Sequence, residues 1–323
     1  MDSLATPLLS SSTTFTFVYD RPLKCIATRY YTLELEKKSG RRNRGLTLLF
    51  AGGIGLSMWN YSFFPSHDQE TWQPVIQEIF RLSSLPTSAV HVHSAWVIER
   101  PNHGDAALLN AGILKEHYTE LFRNWQYATA VKTFLVSELL SPVEKSNIVG
   151  IGFSGGGGAL CVVHFNTIVL HTKRARVLCH ELLNKEGKSA VAIRMLILLE
   201  SPHVGPEAFS HFKVLYPFLR KANMRRPKHW KSIEDAMSWF SRHPPWNSFH
   251  PAILQIISDT YFVPDPSHPG HITTKTTAEQ ETAAFVDDGN VFQTLPYLRT
   301  VLHTLPVHLV LGSMRDFWCD IQV

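Results

Sequence analysis

Gly152-Phe153-Ser154-Gly155-Gly156 fits the pattern G-x-S-x-G, in which a serine is carried on a sharp turn between a strand and a helix. Those residue types suit nucleophilic chemistry at an acyl carbon. The hydroxyl attacks, and the unpaired N–H groups at the start of the following helix face the negative charge that develops, with Gly155 N–H as the first donor. Two rival readings use the same residues. Gly150, Gly152 and Gly155 also spell G-x-G-x-x-G, the dinucleotide pattern, which requires an acidic residue about 20 positions on. The stretch from Val169 through Lys173 and Arg174 to Arg176 is basic where that carboxylate belongs, so no cofactor is implied. The plainest reading is that the glycines from Gly155 to Gly158 only permit close packing and Ser154 is an idle turn residue.

For the serine reading to hold, particular elements must surround it. Asn147 to Phe153 is short, apolar and rich in β-branched residues, and Ala159-Leu160-Cys161-Val162-Val163 follows, which predicts a buried strand turning into a helix. Leu46 to Phe50 is a second buried strand running into Ala51-Gly52-Gly53-Ile54-Gly55. Further strands are expected over Thr13 to Tyr19, Leu23 to Leu35, Val90 to Ile98, Arg194 to Leu199 and Val307 to Leu311, and helices over Trp72 to Leu82, Glu116 to Leu140 and Tyr297 to His303. The strand ending at Leu199 leads into Glu200-Ser201-Pro202-His203, and the last one into Gly312-Ser313-Met314-Arg315-Asp316. Between Gly205 and about Gln293 this rhythm stops. Tryptophans, prolines and histidines are interspersed with helical pieces at Ser232 to Ser241 and Ala278 to Val286, and a basic run from Arg220 to Lys231 reads as solvated surface. The expected division is a core of residues 1–204 and 294–323 with a cap of residues 205–293.

Composition bounds the rest. Of 323 residues, 44% are hydrophobic and only 18% charged, which fits a chain with one large core rather than a disordered one. A net charge of +4 without an aromatic-interleaved basic stripe gives no case for nucleic acid. The four cysteines, Cys25, Cys161, Cys179 and Cys319, form no C-x-x-C pair, so neither a disulfide framework nor a metal site is indicated. His91 and His93 alternate as a metal pair can, but have no third ligand nearby. No apolar run is long enough to span a membrane, and no basic-then-apolar leader opens the chain. These features lead to the expectation of a reducing, cytoplasmic location. The expected partner is a small-molecule ester or acyl substrate; the oligomeric state is left open.

The ordered set of segments carries more than any one of them. Ala51-Gly52-Gly53-Ile54-Gly55, then His67-Asp68-Gln69-Glu70-Thr71-Trp72-Gln73-Pro74, Asn102-His103-Gly104-Asp105, the serine motif, and Thr276-Thr277-Ala278-Glu279-Gln280-Glu281 occur in this order. Together they resemble the α/β-hydrolase superfamily, and more narrowly its fungal branch of peroxisomal lipases and toxin-biosynthesis hydrolases, over residues 20 to 318. In that branch the first loop reads Ala-His-Gly-Thr-Gly, so Gly52 stands in place of a histidine, and residues 56–66 look like an added apolar insertion. The resemblance implies an α/β fold with a mostly parallel sheet and an inserted helical cap. It implies Ser154 as nucleophile, and an oxyanion hole from the N–H groups of Gly155 and Ile54 with Gly53 in the same loop. Asp316 would orient the base, with Glu200 the alternative acid. A serine here points to ester, thioester or acyl-transfer chemistry, not to the aspartate-dependent epoxide and haloalkane branches.

The fold's order of serine, acid, histidine puts the histidine beyond Asp316, after a last strand. The sequence as given stops at Val323, so the expectation is that this strand and its histidine are missing. His203, which follows the strand expected beside the serine unit, is the candidate substitute base, ahead of His103; His303 and His308 should lie toward the wrong end of the last strand. The resulting expectation is that no histidine reaches Ser154 and that ester hydrolysis is weak or nil, which leaves an inactive ligand-binding protein as the alternative. A peroxisomal location is the alternative address if a targeting tripeptide ends the full protein.

Overall fold

The computed structural model describes residues 7–33, 45–54, 69–169, 191–203, 205–286 and 291–312. The alternating early segments become β1 (Leu9–Val18) and β2 (Pro22–Tyr31), an antiparallel pair closed by a short turn. β2 runs antiparallel to β4 (Val92–Ile98). From there the ladder is parallel through β3 (Leu46–Ala51), β5 (Ile148–Phe153), β6 (Ile193–Leu199) and β10 (Val307–Val310), giving the order β1-β2-β4-β3-β5-β6-β10. β4 and β5 are buried along their whole length, as near-continuous apolar strands covered on both faces must be.

Alternation along β3 shows how the two faces are filled. Leu49 and Ala51 join one apolar cluster, Leu48 and Phe50 the other. On the first face pack α4 (Asn124–Val136), α6 (Gly155–Val169) and α11 (Val291–Val301), through residues such as Tyr127, Leu160 and Leu298; on the second packs α1 (Gln73–Ser83) through Ile76 and Phe80. The short helices α2 (Gly104–Leu109), α3 (Ala111–His117) and α5 (Pro142–Lys145) link these layers. Because β3, β5, β6 and β10 are parallel, their carboxyl ends share one edge, which brings Gly53, Ile54, Ser154, Glu200 and Gly312 to the same side of the sheet.

Residues 205–286 add no strand to this sheet. They carry α7 (Phe209–Asn223), α8 (Ile233–Phe240), α9 (Pro251–Thr260) and α10 (Ala278–Phe285) around a separate three-stranded antiparallel sheet, β7 (His229–Trp230), β9 (Ile272–Thr274) and β8 (Phe262–Pro264). A third apolar cluster holds Trp230, Phe240, Trp246 and Tyr261.

Four expectations need correction. The periodicity over Glu116 to Leu140 is broken at residues 118–123, where Phe122 N–H donates to Ala283 O at 2.8 Å and tertiary pairing overrides local helix preference. The last helix begins at Val291, not Tyr297. His91 lies outside β4 and is exposed while His93 is buried, so the two do not form a strand-face pair. The basic run is not uniformly solvated. Arg226 is buried against Glu281 at 2.9 Å, their side chains 3% and 1% exposed. Residues 37–44, the insertion at 56–66, Asp316, Cys179 and Cys319 lie outside the described residues; Cys25 and Cys161 are buried free thiols. Among the described residues no helix is long and apolar enough to cross a membrane.

Candidate active site

β5 delivers a buried Phe153 directly into α6, and the one residue between them, Ser154, has φ +49°. A residue with a Cβ in this left-handed region costs about 1–2 kcal/mol, so the surroundings must impose it. They do so through the backbone. Ser154 N–H donates to Leu199 O at 2.8 Å, and Ser154 O accepts from Gly157 N–H at 3.0 Å and from Ser201 Oγ at 2.7 Å. The flanking glycines are dictated by contact: a Cβ on Gly152 would sit 2.4 Å from Gly157 Cα, and one on Gly156 2.1 Å from Ala51 O.

Ser154 and Gly155 line a cavity of roughly 100 Å³ whose other walls include Ile54, Asn124, Leu219 and Phe285. The hydroxyl of Ser154 makes no hydrogen bond to any of the described residues. Ile54 is held against the turn, its side chain 3.0 Å from where a Gly155 Cβ would lie. Its loop is fastened one step earlier. Gly52 N–H donates to Tyr127 Oη at 3.0 Å, and that hydroxyl donates to Ile98 O at 2.6 Å, so Tyr127 ties the loop after β3 to the end of β4. Gly53 is buried between these anchors.

Behind Gly155 stands a charged side chain that the sequence reading passed over. Arg100 is 2% exposed, its guanidinium 4.7 Å over the Tyr127 ring, and Nη1 is 3.7 Å from the Gly155 Cβ position. Its Nη2 donates to Asn124 Oδ1 at 2.8 Å, and Asn124 Nδ2 donates to Gly155 O at 3.0 Å. Its Nε and Nη1 have no hydrogen-bond partner among the described residues. Burial pulls its pKa down to about 10, which leaves it cationic at neutral pH. The result is a buried positive charge with no carboxylate partner among the described residues, set against Gly155 at the start of α6. Arg100, Asn124, Tyr127 and Ser201 were all missed because none belongs to the serine motif; the signal available was the Arg beside Asn102-His103-Gly104-Asp105 and the i, i+3 spacing of Asn124 and Tyr127 on one helix face.

The remaining expected site residues are placed as follows. Glu200 also has positive φ, +46°, donates its N–H to Val310 O at 2.9 Å, and receives Gly312 N–H on its carboxylate, so it bridges β6 and β10 at the shared edge. His203 is 5% exposed and is not part of the cavity wall, although its neighbour Pro202 is. Neither ring nitrogen has a hydrogen-bond partner among the described residues, and burial lowers its pKa to about 4. His103 is occupied by Asn102, Nδ1 to Oδ1 at 2.9 Å, while His303 and His308 are exposed. Two motifs singled out separately meet: Asn102 Nδ2 donates to Gln280 O at 3.0 Å and Gly104 N–H to Thr276 Oγ1 at 2.8 Å.

A mostly parallel sheet with its serine on a left-handed strand-to-helix turn at the carboxyl edge, and helices on both faces, is the α/β-hydrolase fold. Among solved structures the chain is similar to the peroxisomal α/β-hydrolase Lpx1 from Saccharomyces cerevisiae, at 18% identity over 98% of this chain and 77% of that one, with a TM-score of 0.66. Lower-scoring similarities include Rv0554 from Mycobacterium tuberculosis, 12% identical over 93% and 81% with a TM-score of 0.47, and a carboxylesterase from Nitrososphaera gargenis, 14% identical over 95% and 90% with a TM-score of 0.43. No family model and no curated protein matches the sequence.

Proposed function

We propose that the chain is a serine hydrolase of the carboxylic-ester or thioester type, with Ser154 as its nucleophile. The observation that carries this reading is the left-handed Ser154 facing a largely apolar cavity at the carboxyl edge of the sheet. In the reaction Ser154 Oγ bonds to the acyl carbon and its proton passes to a base. The carbonyl oxygen takes the negative charge against Gly155 and Ile54 N–H, with the Arg100 cation nearby, and as it re-forms the carbonyl the bond to the leaving group breaks and the alcohol or thiol departs with the proton returned by the base. Water then releases the acyl group by the same steps in reverse order. Asp316 or Glu200 is the acid that would orient the base. Residues 205–293 are assigned as the cap on the ground that Tyr216, Leu219, Ala284 and Phe285 line the same cavity as Ser154.

The base is the open step, and it motivates a second reading. Among the described residues Ser154 Oγ has no imidazole partner, and His203 lies off the cavity wall. On that reading the pocket binds an acyl compound without turning it over. Hydrolysis of p-nitrophenyl acetate, butyrate and octanoate by wild type, Ser154→Ala and His203→Ala separates the two. Slow turnover of the short esters that is abolished in Ser154→Ala supports the hydrolase, and its parallel loss in His203→Ala makes His203 the base. Turnover that survives Ser154→Ala overturns the proposal, and saturable ester binding with no turnover establishes the second reading.

A further inference from the structure

Apart from the residues that line the Ser154 cavity, the small sheet gathers histidines. The hairpin between β8 and β9 reads Asp265-Pro266-Ser267-His268-Pro269-Gly270-His271. Its backbone is closed by Asp265 N–H to His271 O at 2.9 Å and His271 N–H to His268 O at 3.0 Å, with Gly270 in the left-handed region at φ +82°. β7 pairs with β9 so that His229 stands opposite Thr273, which sets His229 beside that hairpin. His268 Nδ1 lies 2.9 Å and His229 Nδ1 3.8 Å from the same oxygen, Asp265 Oδ2, and the two imidazole rings are 4.1 Å apart.

We propose that His229, Asp265 and His268 form a binding site for a zinc-class divalent cation at the edge of this sheet, independent of the chemistry at Ser154. One ligand atom from each residue lies within 4.8 Å of the other two. Bonds of about 2.0–2.1 Å in a tetrahedral shell put neighbouring ligand atoms about 3.3 Å apart, so closure requires only side-chain rotation. Asp265 is already oriented for the task. Its Oδ1 accepts from Ser267 N–H at 2.8 Å, which leaves Oδ2 turned to both imidazoles, the kind of outer support that fixes a ligating carboxylate. Two imidazoles and one carboxylate select zinc, cobalt, nickel or copper over magnesium and calcium, which take oxygen shells. Three protein ligands leave a coordination position for water or for His271, whose ring is 5.7 Å from that of His229 and whose buried Nδ1 has no hydrogen-bond partner among the described residues. Sequence spacing hides the set because one ligand comes from a strand and two from a hairpin further along the chain. A plain His268–Asp265 staple of the loop is the competing account; it explains neither the second ring nor its approach to the same oxygen.

The test titrates zinc chloride into the full chain by calorimetry and follows thermal melting, with magnesium chloride as control. One saturable equivalent of zinc, an upward shift of the melting temperature with zinc but not magnesium, and at least a tenfold weaker affinity in His229→Ala/His268→Ala are expected. Both side chains are well exposed, at 42% and 50%, so the double variant should melt like wild type in chelator. Footprinting of the wild-type protein with diethyl pyrocarbonate needs no variant, and zinc should protect His229 and His268 selectively among the 17 histidines. Absence of saturable binding, binding unchanged in the double variant, or protection confined to other histidines would overturn the site.

Discussion

The serine edge and the layer of residues 205–286 are held together by different interactions. Around Ser154 the constraints are mostly backbone: strand ends, glycines that admit no Cβ, and carbonyls bonded across β5, β6 and α6. Within residues 205–286, position depends on buried side-chain pairs, with Arg226 bound to both oxygens of Glu281 and Tyr261 Oη donating to the same carboxylate at 2.8 Å. Backbone constraint tolerates almost no added volume but is indifferent to charge. Side-chain pairing is the converse, since a shape-conserving replacement of the whole pair is tolerated while the loss of one member is not.

The largest effect expected from this contrast is at Gly156. Gly156→Val places a side chain on Ala51 O and should cost about 5 kcal/mol or more, so urea unfolding is expected to find little folded protein. A modest loss there would mean that the turn can open. Among residues 205–286, Arg226→Met alone should cost roughly 3–5 kcal/mol by stranding Glu281, whereas Arg226→Met with Glu281→Gln, which keeps an acceptor for Tyr261, should recover most of that. A double-mutant cycle that adds without recovery would show that Arg226 and Glu281 contribute independently rather than as a pair.

His203 sharpens the comparison through pH. Its folded pKa of about 4 lies below the ordinary 6.5, so between those values the unfolded chain binds the proton more readily. Its contribution is therefore complete above pH 6.5 and is lost as pH falls towards 4, by roughly 3 kcal/mol. His203→Leu, which removes the titration and leaves no partner stranded, should lose that much less stability than wild type over the same interval. The smallest expected effect is at Arg100. Arg100→Met should slow fluorophosphonate labelling of Ser154 about 10-fold, and Arg100→Lys, which keeps the charge, should slow it less. Equal loss in both would make the guanidinium's bond to Asn124, not its charge, the contribution.

The legible parts of the chain were those whose cause is local. The β-branched run before Ser154, the small residues after it and the alternation in β1 and β2 each report a backbone requirement within a few residues, and the fold and the turn follow from them. Arg100, Asn124 and Tyr127 escaped because their role exists only once β4 and α4 are brought under α6. The Arg220 to Lys231 run misled for a similar reason: Arg226 is buried by a carboxylate 55 residues away, which no charge pattern announces. The break at residues 118–123, where Tyr118 Oη bonds Asp20 Oδ1 and Phe122 N–H reaches Ala283 O, is equally non-local.

The central claim, that the left-handed Ser154 is a reactive nucleophile, is tested most directly by intact-mass and peptide mapping after exposure to a fluorophosphonate. A single adduct on the peptide containing Ser154, absent from a Ser154→Ala variant that melts like wild type, is the predicted result. No adduct, or an adduct on another residue that persists in Ser154→Ala, would contradict it.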